Sequence, residues 1–179
     1  MIDEAGVSTN LSTPPVEHSD DGWTGSMAQA FTLGHDAILQ RLSQAFNHSP
    51  FMAHSGMQMR VVNGQIEGHM DMAAHLVGNV AFRILHGGVA ATLLDSIGGV
   101  VAMGEIYRRN DGERSEQMKK ASRLATVDMR IDYLSPGRGQ WFVATASVLR
   151  MGRKGCTMRM DLHNDEGRHI ATGIASYAY

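Results

Sequence analysis

The sequence predicts an α+β domain in which a curved antiparallel sheet wraps around one central helix. Three observations carry that expectation. Residues 84–103 form the longest apolar stretch of the chain, too apolar all round to lie on a surface as a helix. Residues 126–179 fall into four strand-like segments separated only by short turn sequences. Asn63-Gly64 lies between two further strand-like runs, and this pair readily takes the positive φ angles of a two-residue hairpin turn. A sheet strongly curved about the helix buries the apolar faces of all these strands together.

In chain order, residues 1–25 carry acids, Ser, Thr and Pro without sustained periodicity, and are expected to form a mobile tail ahead of a single domain over 26–179. Ser26 is a candidate N-cap. After it Met27, Phe31, Ile38, Leu42 and Phe46 recur at helical spacing on one face, until Asn47, His48, Ser49 and Pro50 stop the pattern. This predicts a covering helix. Strands over 57–62 and 65–72 follow. In the second, Gln65, Glu67, His69 and Asp71 alternate with Ile66, Gly68, Met70 and Met72, the mark of a half-buried sheet.

A loop over 73–85 leads into the core helix, expected over 87–103. Residues 105–123 mix six basic and four acidic residues with little periodicity and predict a long loop or a frayed helical extension. The last four strands, 126–134, 140–149, 156–163 and 169–179, have connections short enough to predict meander order. Val127, Met129, Ile131 and Tyr133, then Cys156, Met158, Met160 and Leu162, supply apolar faces at period two.

Composition narrows the function. A length of 179 residues suits one domain with a substantial core. The formal net charge of −2 gives no basic field for nucleic acid or an anionic membrane, so an anionic ligand must be met by local positive groups. The 84–103 stretch is long enough to span a bilayer but holds His86, Asp95 and the glycine pairs Gly87/Gly88 and Gly98/Gly99, which fit a buried soluble helix better. Cys156 is a lone cysteine and residues 1–21 lack the basic head and apolar core of a secretory signal, so a reducing cytoplasm is the expected location. The histidines show no metal-ligand spacing, no Gly-rich phosphate loop follows a strand, and the Gly-x-Ser-x-Gly elbow is missing. Serine hydrolase and metallohydrolase readings fall away, and no metal or other cofactor is expected.

The most informative stretch is His86-Gly87-Gly88-Val89-Ala90-Ala91-Thr92-Leu93-Leu94-Asp95. Gly88 and Asp95 are seven residues apart, nearly two helical turns, so they share a face at about 10 Å along the axis. Ala91, Thr92, Gly99 and Ala102 lie on that face too, and all are small. Such a stripe leaves room for another backbone or a slender ligand, with Asp95 in its middle. A carboxylate there must either shift its pKa or find partners, and no basic residue lies within several positions. Gly87 and Gly88 stand at the helix start, where free amides and the positive end of the helix dipole favour a developing negative oxygen.

The order of helix, hairpin, His-Gly-Gly helix with an Asp nine residues after the His, and four strands resembles the PaaI-like branch of the hotdog-fold thioesterases. The resemblance covers roughly residues 47–179. It includes His48-Ser49-Pro50-Phe51, the stretch from Thr126 through Asp128, Arg130 and Asp132 to Pro136, and the turn Gly152-Arg153-Lys154. What it implies is hydrolysis of an acyl-CoA to a free acid and CoA, with Asp95 as nucleophile or general base and the Gly88 amide polarising the thioester carbonyl. His86 would shape the pocket beside Gly87.

It further implies a site between two subunits, with Asp95 of one chain facing the Asn79 and His-Gly-Gly loop of the other, a homodimer as the minimal active unit and a homotetramer as the assembly. The family places its Asn six residues before the His, whereas Asn79 is seven before, so its role needs a one-residue bulge. Thr126 matches a water-positioning hydroxyl, yet strict alternation puts it on the face opposite Val127 and Met129. Arg150, Arg153 and Lys154 crowd one turn and could meet the phosphates of CoA. The thirteen methionines suit a core and an acyl tunnel.

Read without the resemblance, Asp95 would be a buried structural carboxylate, His86 and Asn79 loop residues, Thr126 an ordinary strand residue and the basic turn a solvated one. Burying an acid seldom favours stability, which argues for chemistry at Asp95. Two rival functions share the fold: an enoyl-thioester dehydratase or hydratase, marked by hydration without thiol release, and a non-catalytic acyl-CoA binding module, marked by binding without turnover.

Overall fold

The structure of the protein, a computed structural model, describes residues 34–109 and 113–179, apart from the side chain of Arg114. The expected tail and the first part of the covering helix, with Ser26, Met27 and Phe31, lie outside the described residues. The described part of that helix, α1 (His35–Asn47), buries Leu39 and Leu42 and half-buries Ile38 and Phe46 on one face. Asn47 ends it by turning its side chain to β1 (Met57–Val62): Nδ2 donates to the Met59 carbonyl at 2.9 Å and Oδ1 accepts the Met59 N–H at 2.7 Å. Between them α2 (Pro50–Ser55) starts on a Ser49 cap with Pro50 in the first turn, and stops at Gly56 with φ 74°.

Strands β1 and β2 (Gln65–Asp71) form the expected hairpin, with Asn63 at φ 51° and Gly64 at φ 75°. A short pair, β3 (Val77–Asn79) and β4 (Ile84–Leu85), then delivers the chain to α3 (Gly87–Arg109). Leu93, Leu94, Ile97 and Val100 of α3 are 0% exposed, and the helix packs on β2 and on the four later strands. It is long and apolar enough to cross a membrane by those criteria alone, but its place is beneath the sheet.

Residues 105–123 are more regular than their composition suggests. Helix α3 runs on to Arg109 because Ile106 and Tyr107 still bury and Arg108 pairs with Glu105 at 2.7 Å. A separate helix, α4 (Arg114–Ser122), forms where a loop or a frayed helical extension was expected, held by buried Gln117 and Ala121, four apart, and by a Glu116–Lys119 pair.

The main sheet has the order β1-β2-β6-β7-β8-β5, all antiparallel, with β5 (Ala125–Tyr133), β6 (Trp141–Met151), β7 (Gly155–Asn164) and β8 (His169–Ala178). The meander expectation is therefore half corrected: β6-β7-β8 follow it, while β5 lies at the far edge beside β8 and β6 pairs with β2. The 134–140 connection is no tight turn. It crosses the end of the sheet and is bound on the way: Leu134 and Ser135 N–H donate to the Ile170 carbonyl, Leu85 N–H to the Gly137 carbonyl, and Asn164 Nδ2 to the Arg138 carbonyl. With the sheet wrapped around α3, this is the hotdog fold.

Candidate active site

Asp95 sits half-buried on α3 with its Oδ1 facing two hydroxyls. Thr126 Oγ1 of β5 donates to Oδ1 at 3.0 Å. Tyr177 of β8 places its phenol 3.0 Å from the Asp95 main-chain oxygen and 3.3 Å from the same Oδ1. No ion pair reaches Asp95 among the described residues. The carboxylate is thus held by neutral donors.

Thr126 reaches Asp95 because β5 breaks its alternation. Its register against β8 slips between Thr126 and Asp128, so that Thr126 pairs with Tyr177 and Asp128 with Ser176, two residues of β5 against one of β8. The bulge resets the face: Thr126 turns toward α3, correcting the strict-alternation expectation, and Val127 becomes 68% exposed instead of core. Tyr133, also expected on the apolar face, is exposed and lies against the start of α3.

At that start the backbone is closely attended. His86 acts as the cap of α3: its carbonyl accepts the N–H of Val89 and of Ala90, and its Nδ1 accepts the Gly88 N–H at 2.9 Å. The Gly88 amide is accordingly not free, as the sequence suggested, but held by imidazole, and Nδ1 must be unprotonated to hold it. Tyr133 donates to the Gly87 carbonyl at 2.9 Å with its ring against Gly87, where a Cβ would lie 3.3 Å from the ring.

The β3–β4 ladder carries a one-residue irregularity between Val77 and Asn79. Gly78 occupies it, and a Cβ there would lie 2.6 Å from the His86 Cα, so only glycine lets this strand pass the cap. Asn79 is exposed, with Oδ1 accepting the Phe82 N–H at 3.3 Å.

Arg150, Arg153 and Lys154 line one cleft of ≈ 380 Å³ at the β6–β7 turn, with Tyr177 on its wall. A neighbouring cleft of ≈ 420 Å³ shares Arg153 and adds Arg109 and Lys120 from the 105–123 segment. A third, ≈ 360 Å³ and mainly apolar, lies beside the start of α3 between Leu85, Ala90, Tyr133, Pro136 and Ile170. One chain brings Asp95 to Thr126, and His86 to Gly87 and Gly88. It makes no hydrogen bond from Asp95 to Asn79, His86 or the basic turn among the described residues.

Tyr177 escaped the sequence reading altogether. Its signal was available only as an aromatic residue on the inner face of the last strand and an unexplained Gly98 in α3. Burial, and then the Asp95 carboxylate, raise its phenol well above the usual range, so it stays a donor.

Comparison with known proteins adds an independent line. A family model described as "Thioesterase superfamily" matches residues 82–171. The medium/long-chain acyl-CoA thioesterase YigI of Escherichia coli K12 is 39% identical over 132 residues, 73% of this chain and 85% of its own. Among solved structures, a Shewanella oneidensis protein described as related to the thioesterase superfamily has a TM-score of 0.75 at 39% identity, covering 80% of this chain and 96% of its own. A crystal structure of a Bacillus halodurans protein with CoA shares the fold at a TM-score of 0.59 and 22% identity, over 94% of this chain and 96% of its own.

Proposed function

The chain belongs to the thioesterase superfamily and is a thioester hydrolase, and on that premise we propose that it cleaves acyl-CoA to a free acid and CoA with Asp95 as the reacting carboxylate. The observation that carries this reading is a carboxylate bound on one oxygen by two neutral hydroxyls and paired with no cation among the described residues, on the helix that starts at His86-Gly87-Gly88. A structural acid is ordinarily neutralised by a base. An acid held in place by hydroxyls is oriented without a permanent counter-charge, as a group that must meet a reacting atom requires.

In the simplest route Asp95 takes a proton from water as the water oxygen bonds to the thioester carbon. The carbonyl oxygen becomes an oxyanion at the Gly88 amide, the C–S bond then breaks, and the thiolate recovers the proton from Asp95. His86 Nδ1 holds that amide ready and yields it to the carbonyl oxygen. Attack by Asp95 itself, giving an anhydride that water then opens, uses the same groups. Thr126 keeps the carboxylate oriented, and Asn79 and Gly87 frame the thioester.

The homodimer belongs to the same reading. Among the described residues β5 is an edge strand paired only with β8, and Val80 and Phe82 of the loop before His86 are 82% and 62% exposed. A second copy on this edge would set its His-Gly-Gly loop against Asp95; pairing of two dimers would give the tetramer. The name of the E. coli relative and the apolar cleft beside α3 both favour a medium or long aliphatic acyl group. Arg150, Arg153 and Lys154 are assigned to the phosphates of CoA. Replacing Arg153 and Lys154 together by Ala should raise KM for acyl-CoA roughly threefold to tenfold and leave KM for the matching acyl-pantetheine unchanged.

The test is free-thiol release from a series of acyl-CoAs of increasing length. The expected result is turnover that peaks at medium or long chains and falls about 10²-fold or more in Asp95→Ala with the fold intact. Hydration of an enoyl-CoA without thiol release, or tight binding without turnover, would replace this reading.

A further inference from the structure

We infer that Tyr177 is a positioning residue for the hydrolysis, its phenol seated in the notch left by Gly98 and fixing Asp95 so that Oδ1 is bound and Oδ2 is presented to the reacting atoms. The inference rests on the reading of Asp95 as the reacting carboxylate. Four observations carry it.

Tyr177 is 2% exposed, and a phenol buried that deeply needs a partner for its O–H. The partner is Asp95, 82 residues away in sequence, approached at both its main-chain oxygen and Oδ1. One contact therefore restrains both the backbone and the side chain of the acid. As a helical carbonyl, the main-chain oxygen also accepts the N–H four residues on, so it does not depend on the phenol for satisfaction.

The notch is specific. A Cβ on Gly98 would collide with the Tyr177 hydroxyl, so any other residue at 98 must push the phenol away from Asp95. Gly98 is buried in the middle of a core helix, where glycine is intrinsically unfavourable relative to alanine. The Met160 sulfur of β7 lies 3.1 Å from the same position, so the notch is bounded by the phenol and by the core side chain beside it.

The β5 bulge makes Thr126 the direct cross-strand partner of Tyr177. Two hydroxyls from adjacent strands thus converge on the same oxygen. No hydrogen bond reaches Oδ2 among the described residues, which leaves that oxygen available to water or to the thioester carbon. The phenol, held protonated by burial and by the carboxylate beside it, cannot compete as a base and acts only as a donor.

The experiment is a double-mutant cycle of Tyr177→Phe and Asp95→Asn, read as kcat and KM for one acyl-CoA that the wild type hydrolyses. Phenylalanine keeps the packing and removes only the hydroxyl. Tyr177→Phe should lower kcat about tenfold with KM within about twofold, and should lower it no further in the Asp95→Asn background. Gly98→Ala, which displaces the phenol without altering it, should reproduce the fall in kcat, and adding Tyr177→Phe to it should change little. A Tyr177→Phe enzyme with the wild-type kcat, or one that loses the same factor with and without Asp95, overturns the inference while leaving the role of Asp95 standing. Full activity in Asp95→Asn overturns both.

Discussion

Strands β5 and β7 look alike in sequence and behave differently in the fold. In β7, Cys156, Met158, Met160 and Leu162 alternate without interruption and all four bury against α3. In β5 the same alternation begins at Val127, but a one-residue slip after Thr126 exposes Val127 and turns Thr126 inward onto Asp95. Register in a sheet is all or nothing: a shift of one residue exchanges the two faces. The regular strand builds the core. The irregular one uses its slip to aim a hydroxyl, and it lies at the sheet edge, where a bulge disturbs only one neighbour.

The contrast breaks most visibly in β7. Leu162→Ala removes a side chain that is 0% exposed and should cost about 2–5 kcal/mol in chemical denaturation, with thiol release per folded molecule unchanged. In β5 the order reverses. Thr126→Ala should leave stability within about 0.5 kcal/mol and lower kcat about tenfold. Deleting Val127, the extra residue of the bulge, should leave kcat within about threefold of the wild type, because Thr126 then stands directly beside Asp128, still opposite Tyr177 and still facing α3. A deletion as slow as Thr126→Ala would show that this register does not set the direction of the hydroxyl.

The smallest effect separating the strands is one of pH. Burial pushes the Cys156 thiol of β7 up from 9.0 to about 11. The unfolded chain then loses this proton first, so the thiol's contribution to stability is complete below about pH 9 and fades as pH rises through about 11. Cys156→Ala should flatten the alkaline limb of the stability profile, whereas Thr126→Ala should leave it unchanged.

Much of this could be read from the residues. The core helix, the Asn63-Gly64 hairpin and the β6-β7-β8 meander follow from periodicity and turn chemistry, which act over a few residues. The His-Gly-Gly start with Asp95 could be read because one helix fixes their spacing. The position of β5 could not, since its pairing with β8 depends on a connection that winds past Leu85, Ile170 and Asn164. Helix α4 was hidden because the residues it fully buries among those described are Gln117 and Ala121, one polar and one small, with Met118 half-buried beside them. Tyr177 was hidden for a different reason: no local pattern announces a contact across 82 residues, and Gly98 looked like one half of a glycine pair in an apolar helix.

Asp95→Asn most directly tests the claim that an acid held by hydroxyls does the chemistry, since it exchanges one oxygen for an amide and keeps the size and setting of the side chain. Thiol release from the wild type's preferred acyl-CoA should fall by about 10² or more, at a melting temperature close to that of the wild type. Release at the wild-type rate from the folded variant would contradict the account.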